Sequence, residues 1–259
     1  MQDLNVTFVQ TSLYWESPAA NMAMLEEKIW QAGSTGDLLI LPEMFTTGFT
    51  MNAAALAEPM NLTTCRWMRQ MAAMTGSVIT GSFIAREGSK YFNRMLWVEP
   101  DGKTDFYDKR HLFRMADEHL TFTAGEGRLV KELNGWKIAL FVCYDLRFPV
   151  WSRNTAENNY DLALYTASWP AARSQAWNTL LPARAIENQC YVAGVNRTGI
   201  DGKSVSFLGD SGIWNFLGEK IADGGQTETI HTRTLSHNDL RMFREEFPAF
   251  RDSDHFSIH

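Results

Sequence analysis

Cysteine is scarce in this chain. Three occur in 259 residues, Cys65, Cys143 and Cys190, and none falls in a CxxC or a Cys/His ligand pattern. So few and so widely spaced, they exclude a disulfide framework and point to a reducing compartment. Long apolar runs are missing as well; none approaches the ~20 residues that a membrane-spanning helix needs. No basic run is present and the net charge is −6, which argues against a general nucleic-acid surface. The opening MQDLNVTFVQ has no basic region followed by an apolar core, so no signal peptide is expected. The six histidines show neither HxH nor HExxH spacing, and no GxxxxGK phosphate loop occurs. These absences predict a cytoplasmic protein with no metal, no cofactor, no nucleic acid and no membrane among its partners.

What is present is ordinary for a globular protein: 45% apolar and 21% charged residues. Short apolar runs alternate with helical patterns along the whole length, without linkers, low-complexity tracts or repeats. One domain spanning 1–259 is therefore expected, of the α/β class. Strands are predicted at Leu4–Gln10, Asp37–Leu41, Ser77–Ile84, Asp161–Thr166 and Tyr191–Asn196, among others. Helices are predicted at Ala19–Gln31, Leu62–Met74 (Thr63 or Thr64 as cap), Trp151–Asn158, Ser174–Gln189 and Ser236–Glu246. Pro182 predicts a kink or a restart in the fourth of these, and Ser236 is a candidate N-cap of the last. Pro100-Asp101-Gly102 and Asn134-Gly135 mark hairpins. The stretch from Asp108 to Gly127 reads as a long polar loop, which compact domains seldom keep without a use. A mixed sheet, or two sheets covered by helices, fits this pattern.

Three polar residues stand just past the ends of apolar strands. Glu43 follows Asp37-Leu-Leu-Ile-Leu-Pro42, Lys109 opens the long loop, and Cys143 ends the run Ile138-Ala-Leu-Phe-Val142. Singly, each has a bland reading: a solvated loop acid, a basic surface residue, a small buried hydrophobe. Cys65 and Cys190 are assigned to packing. Together the three make a chemical set. A thiol near its reference pKa of ~8.5 needs a base or a nearby positive charge to attack, and Glu43 and Lys109 supply those types.

The motifs LPEMFTTGF (41–49), YDKRHLF (107–113) and VCYDLRFP (142–149) resemble the three signatures of the nitrilase superfamily of carbon–nitrogen hydrolases, in that family's order. ARAIENQCYVAGVNR (183–197) is similar to the family too, so the resemblance covers nearly the whole chain. KRHLFRMADEH (109–119) and CYDLRFPVWSRN (143–154) resemble a bacterial branch of the omega-amidases, which hydrolyse the side-chain amide of 2-oxoglutaramate and 2-oxosuccinamate.

The resemblance implies a four-layer αββα sandwich of the nitrilase type that pairs into a homodimer or a higher homo-oligomer. It implies Glu43 as general base, Lys109 as oxyanion stabiliser and Cys143 as nucleophile. It adds Glu118 as a second active-site carboxylate. The expected partner is a small-molecule amide. Tyr144 is expected to lend its backbone N–H to the oxyanion. Arg147 is a candidate reader of the substrate's far carboxylate, or else a pin for its own turn or a subunit contact. Phe45, Tyr144 and Trp169 are candidate pocket-lining residues, with core packing as the other reading, above all for Phe45. Arg184 and Glu187 read as structural i, i+3 partners. Three alternatives stay open: a Cys–His dyad using His111 or His119, a different amidase such as an N-carbamoyl amine hydrolase, and a catalytically silent scaffold.

Overall fold

The structure, a computed structural model, describes residues 2–155, 159–254 and 256. In chain order the strands are β1 Leu4–Gln10, β2 Leu38–Ile40, β3 Glu58–Pro59, β4 Val78–Glu87, β5 Lys90–Val98, β6 Thr104–Asp108, β7 Val130–Leu133, β8 Trp136–Val142, β9 Leu162–Ala167, β10 Tyr191–Asn196, β11 Thr198–Ile200, β12 Ser206–Leu208, β13 Gly212–Trp214, β14 Lys220–Asp223 and β15 Thr229–Leu235. The α-helices are α1 Pro18–Ala32, α2 Ala53–Leu56, α3 Thr63–Thr75, α4 Glu118–Thr121, α5 Ser174–Asn188 and α6 His237–Glu246.

Two mixed sheets face each other. The first runs β15-β1-β2-β4-β5-β6, with β3 paired to β4; the second runs β14-β13-β10-β9-β8-β7. The centre of each is parallel, β1-β2-β4 in one and β8-β9-β10 in the other, and hairpins extend both outward. The pleat sorts side chains between layers. Leu38 and Ile40 point into the core shared with the second sheet, whereas Leu39 between them packs with Met22, Leu25 and Ile29 of α1. Met95 and Trp97 likewise face the shared core, while Leu96 and Val98 pack with Met68 and Met71 of α3. Alternation of this kind follows from the period of two in a strand. On the far side, Trp177, Leu181 and Ala185 of α5 and Leu240 of α6 cover the second sheet. The layers are therefore αββα, as expected.

Several sequence expectations hold and a few fail for definite reasons. Ser236 caps α6, accepting from the Asp239 N–H. Asn134 and Gly135 both adopt positive φ in the β7–β8 turn. Neither Thr63 nor Thr64 caps α3. Both lie inside its first turn, and the Glu58 carboxylate takes the Thr64 N–H instead. Pro182 neither ends nor restarts α5, which runs through it. The expected Trp151–Asn158 helix is absent from its described part: Trp151 and Ser152 form a turn on the Phe148 carbonyl. Asn154 then bonds Tyr160 through both its side-chain amide and its carbonyl, drawing the chain away from a helix. Residues 156–158 of that expectation lie outside the described set. The Asp108–Gly127 stretch holds a 3₁₀ turn, Arg114–Ala116, and the single turn α4.

One close approach fixes the root of that stretch. The Gly125 N–H donates to the Lys109 carbonyl, and a β-carbon on Gly125 would meet the Asp108 carbonyl oxygen at 2.0 Å. Gly125→Ala is expected to push the loop away from the end of β6. A loss of about 1–3 kcal/mol should appear in denaturant unfolding, together with reduced activity. A variant as stable and active as the parent would show the loop to be free to shift.

Candidate active site

Strand ends bring the predicted groups together. Glu43 lies just past β2, Lys109 past β6, Cys143 past β8 and Ser168 past β9, so all four converge at one rim of the paired sheets. Glu43, Lys109 and Glu118 are buried, and Cys143 keeps 8% exposure at the floor of a cavity. The Lys109 ammonium donates to Glu43 Oε1 at 2.9 Å and to both oxygens of Glu118, at 3.0 and 2.9 Å. Asn93 on β5 donates to Glu43 Oε1 at 2.8 Å and Glu118 Oε1 at 3.2 Å. The Ser168 N–H donates to Glu43 Oε2 at 2.8 Å, and the Phe113 N–H to Glu118 Oε2 at 2.5 Å. Neither carboxylate is left to find its own position.

The charges are unequal: two carboxylates share one ammonium out of reach of bulk water. Burial opposes the charge on Lys109, but Glu118 and Glu43 outweigh it and hold the ammonium's pKa above its ordinary value. Burial also lifts the Glu118 carboxyl, against the pull of Lys109. Burial and the Glu43 carboxylate push the Cys143 thiol well above its usual range, and the attraction of Lys109 does not offset them. Both effects favour the protonated thiol over the thiolate. A base must take its proton as the sulfur attacks.

Cys143 also carries backbone strain. Its φ is +45°, left-handed for a residue with a side chain, a conformation worth roughly 1–2 kcal/mol of penalty. It opens a 3₁₀ turn, Cys143–Arg147. That turn is pinned from outside: Arg184 of α5 donates to the Leu146 carbonyl through Nε at 3.2 Å and Nη2 at 2.8 Å. Arg184 in turn pairs with Glu187 at 2.9 Å, the structural role expected for both.

The cavity above Cys143 holds about 300 Å³. Tyr144, Arg147 and Trp169 line it, as expected; Phe45 does not. Phe45 is fully buried against Trp67, ring centroids 5.6 Å apart, because it sits on the α3-facing side of the first sheet. The Arg147 guanidinium lies 4.9 Å over the Trp169 ring. Sequence reading missed Arg173, which also lines the cavity and lies 5.4 Å over Phe113. It missed the β11–β12 hairpin too, whose tip brings Asp201, Lys203 and Val205 to the wall. A signal was visible there, Gly199-Ile-Asp-Gly202, but nothing tied it to the site. Asn93 carried none; only the register of β5 against β6 aims it at both carboxylates. The Cys–His alternative fails: the His111 ring bonds Asp145 at 2.8 Å, and neither His111 nor His119 lines this cavity. Among the described residues no cluster of metal-ligating side chains occurs, and no helix is long and apolar enough to cross a membrane.

A buried thiol, a neighbouring carboxylate and a fixed ammonium are the set of groups that acyl transfer through a thioester uses. Comparison with known proteins gives the same class. Residues 5–245 match the carbon-nitrogen hydrolase family. The chain is 49% identical over its full length to the whole of the omega-amidase YafV of Escherichia coli K12. It is 34% identical to the 2-oxoglutaramate amidase of Bacillus subtilis, covering 95% of this chain and 96% of that one. The crystal structure of XC1258 from Xanthomonas campestris, a CN-hydrolase superfamily protein with an arsenic adduct in its active site, superposes with a TM-score of 0.98. It is 45% identical over the full length of both chains. The chain belongs to the carbon–nitrogen hydrolase family, and so to the nitrilase superfamily. Within that class it is a hydrolase of carbon–nitrogen bonds other than peptide bonds.

The cysteines should separate on access. Iodoacetamide is expected to alkylate Cys143 first, because Cys65 and Cys190 are sealed in the core. The rate should keep climbing as pH passes the ordinary thiol range of about 8.5, since burial and Glu43 hold the proton on. Mass spectrometry of the labelled peptides checks both points. A fast rate already level at neutral pH would mean a resting thiolate.

Proposed function

We propose that this protein is an omega-amidase that hydrolyses the side-chain amide of 2-oxoglutaramate or 2-oxosuccinamate to the 2-oxo dicarboxylic acid and ammonia. One observation carries the choice of substrate: Arg147, Arg173 and Lys203 line the cavity against a single acid, Asp201. A guanidinium suits a planar carboxylate through paired hydrogen bonds. An N-carbamoyl amine hydrolase for amine-bearing substrates would be better served by extra acids. The names of the Escherichia coli and Bacillus subtilis relatives support the same reading.

In the proposed reaction Glu43 takes the Cys143 proton as the sulfur bonds to the amide carbon. The carbonyl electrons move to oxygen, where Lys109 and the Tyr144 backbone N–H meet the negative charge. The C–N bond then breaks, and Glu43 returns the proton to nitrogen so that ammonia leaves. Water, giving a proton to Glu43, attacks the thioester; the C–S bond breaks and the acid departs with the thiol restored. Glu118 holds Lys109 in place. The contacts support this division of labour: both Glu118 oxygens accept from Lys109, whereas only one Glu43 oxygen does, and the Glu43 charge acts on the Cys143 thiol.

The same proposal places the chain in the cytoplasm, reads 1–259 as one domain and assembles it as a homodimer or larger homo-oligomer. Exposed Val150, Ile186, Leu217 and Phe247 give apolar surface for such a contact. Light scattering would check it.

Purified protein given 2-oxoglutaramate should release ammonia, and Cys143→Ala or Glu43→Gln should abolish release. Lys109→Met should cost at least ~10²–10³ in kcat. Normal turnover by any of these variants would sink the mechanism. Arg147→Ala and Arg173→Ala should each lower kcat/KM by roughly 10- to 100-fold, mostly through KM, if they hold the carboxylate. The same variants should leave hydrolysis of an uncharged short amide little changed. Cleavage of N-carbamoyl amines in preference to 2-oxoglutaramate would favour the other amidase class.

A further inference from the structure

Asp145 is fully buried two residues after Cys143, and it does not line the cavity. Its carboxylate accepts four hydrogen bonds. Oδ2 takes the Tyr107 hydroxyl at 2.7 Å and the Val142 N–H at 2.9 Å. Oδ1 takes the His111 N–H at 3.0 Å and the His111 ring Nδ1 at 2.8 Å. The donors have a pattern. Tyr107 and His111 lie two residues before and two after Lys109; Val142 immediately precedes Cys143. A single side chain thus ties both flanks of the lysine to the strained residue that carries the thiol.

The outer partners are fixed in turn. Trp151 Nε1 donates to the Tyr107 hydroxyl at 2.9 Å, and the His111 ring stacks on Phe148 at 3.8 Å between centroids. Burial and Asp145 keep the Tyr107 hydroxyl protonated, so it stays a donor. Arg184, by contrast, holds only the Cys143 side, through Leu146. No other described carboxylate bonds residues flanking both Lys109 and Cys143. Glu43 and Glu118, which bond the Lys109 ammonium itself, make no hydrogen bond to either neighbour of Cys143 in the chain.

We propose that Asp145 is a positioning residue that sets the distance between the Lys109 ammonium and the Cys143 sulfur by clamping the chain on both sides of Lys109 to the turn of Cys143. The proposal rests on the acyl-transfer reading above. It predicts that Asp145 acts on the chemical step and not on substrate capture, because it touches nothing that faces the cavity. Asparagine at this position has one acceptor oxygen in place of two, so its amide group must face either the Val142 N–H or the His111 N–H. One backbone tie is lost without a change of size.

The test compares Asp145→Asn and Tyr107→Phe with the parent enzyme. Active sites are counted as the Cys143 thiols whose alkylation the amide substrate blocks. Asp145→Asn should lower kcat per counted site by ~10²-fold, the usual effect of a misplacement near 1 Å. KM should stay within about 3-fold, since ground-state binding is untouched. Tyr107→Phe removes one tie of four and should lower kcat per site by ~10-fold on the same grounds. It covers the case in which the asparagine variant does not fold. Per-site kcat within threefold of the parent in the folded variants overturns the proposal, even if melting temperature or the count of sites falls. A rise in KM with unchanged kcat overturns it as well. Absence of ammonia release by the parent enzyme from every amide tried sinks the acyl-transfer reading and this inference with it. Activity in the parent with no per-site loss in the variants sinks this inference alone.

Discussion

The Lys109 ammonium lies 2.9 Å from Glu43 and within 3.0 Å of both Glu118 oxygens, with all three side chains out of water. Removing Lys109 would leave two buried carboxylates without a counter-charge, and breaking a buried pair in this way costs about 3–5 kcal/mol. The cluster therefore holds its parts together tightly even though its net stabilisation is modest. Its charges come from three separate segments: the loop after β2, the end of β6, and α4. Asn93 and the Ser168 and Phe113 N–H groups meet the remaining oxygens. The rim of both sheets is organised around satisfying this one cluster.

Cys143 is set against that cluster under strain. A left-handed φ at a non-glycine residue survives only where its surroundings determine it. Here the Val142 N–H is taken by Asp145 and the Leu146 carbonyl by Arg184, one tie on each side of the thiol. The result is a sulfur at the wall of the cavity, where burial and the Glu43 carboxylate favour the protonated thiol.

The alternation of runs gave an α/β chain with a mixed sheet or two helix-covered sheets, the motif resemblance supplied the αββα layering, and the strand ends bearing Glu43, Lys109 and Cys143 were readable in order. Motif resemblance supplied Glu118, which spacing alone left as a loop acid. The misreadings have physical causes. Trp151–Asn158 has helical periodicity, but Asn154 uses its side chain to hold Tyr160 and Asn188. Phe45 stands two residues after the motif glutamate in sequence, yet the local backbone turns it to the α3-facing side, against Trp67. Arg173 and the β11–β12 hairpin are remote from the three motifs, and no local pattern assigns them to the cavity.

Sequence alone determined the class of chemistry: a thiol, a carboxylate and a lysine past strand ends made a chemical set, and the three motifs around them resembled the nitrilase superfamily, both being local patterns. Tertiary structure decided three other things. It set the surroundings of the thiol, where burial and the Glu43 charge favour the protonated form. It set the charge of the cavity wall, which draws Arg147, Arg173 and Lys203 from separate segments. It brought the segment around Lys109 to the turn of Cys143, where Asp145 bonds Tyr107 and His111, more than thirty residues away, as well as the nearby Val142 N–H. Electrostatics and hydrogen bonds act through distance in space, and a linear pattern does not carry that distance.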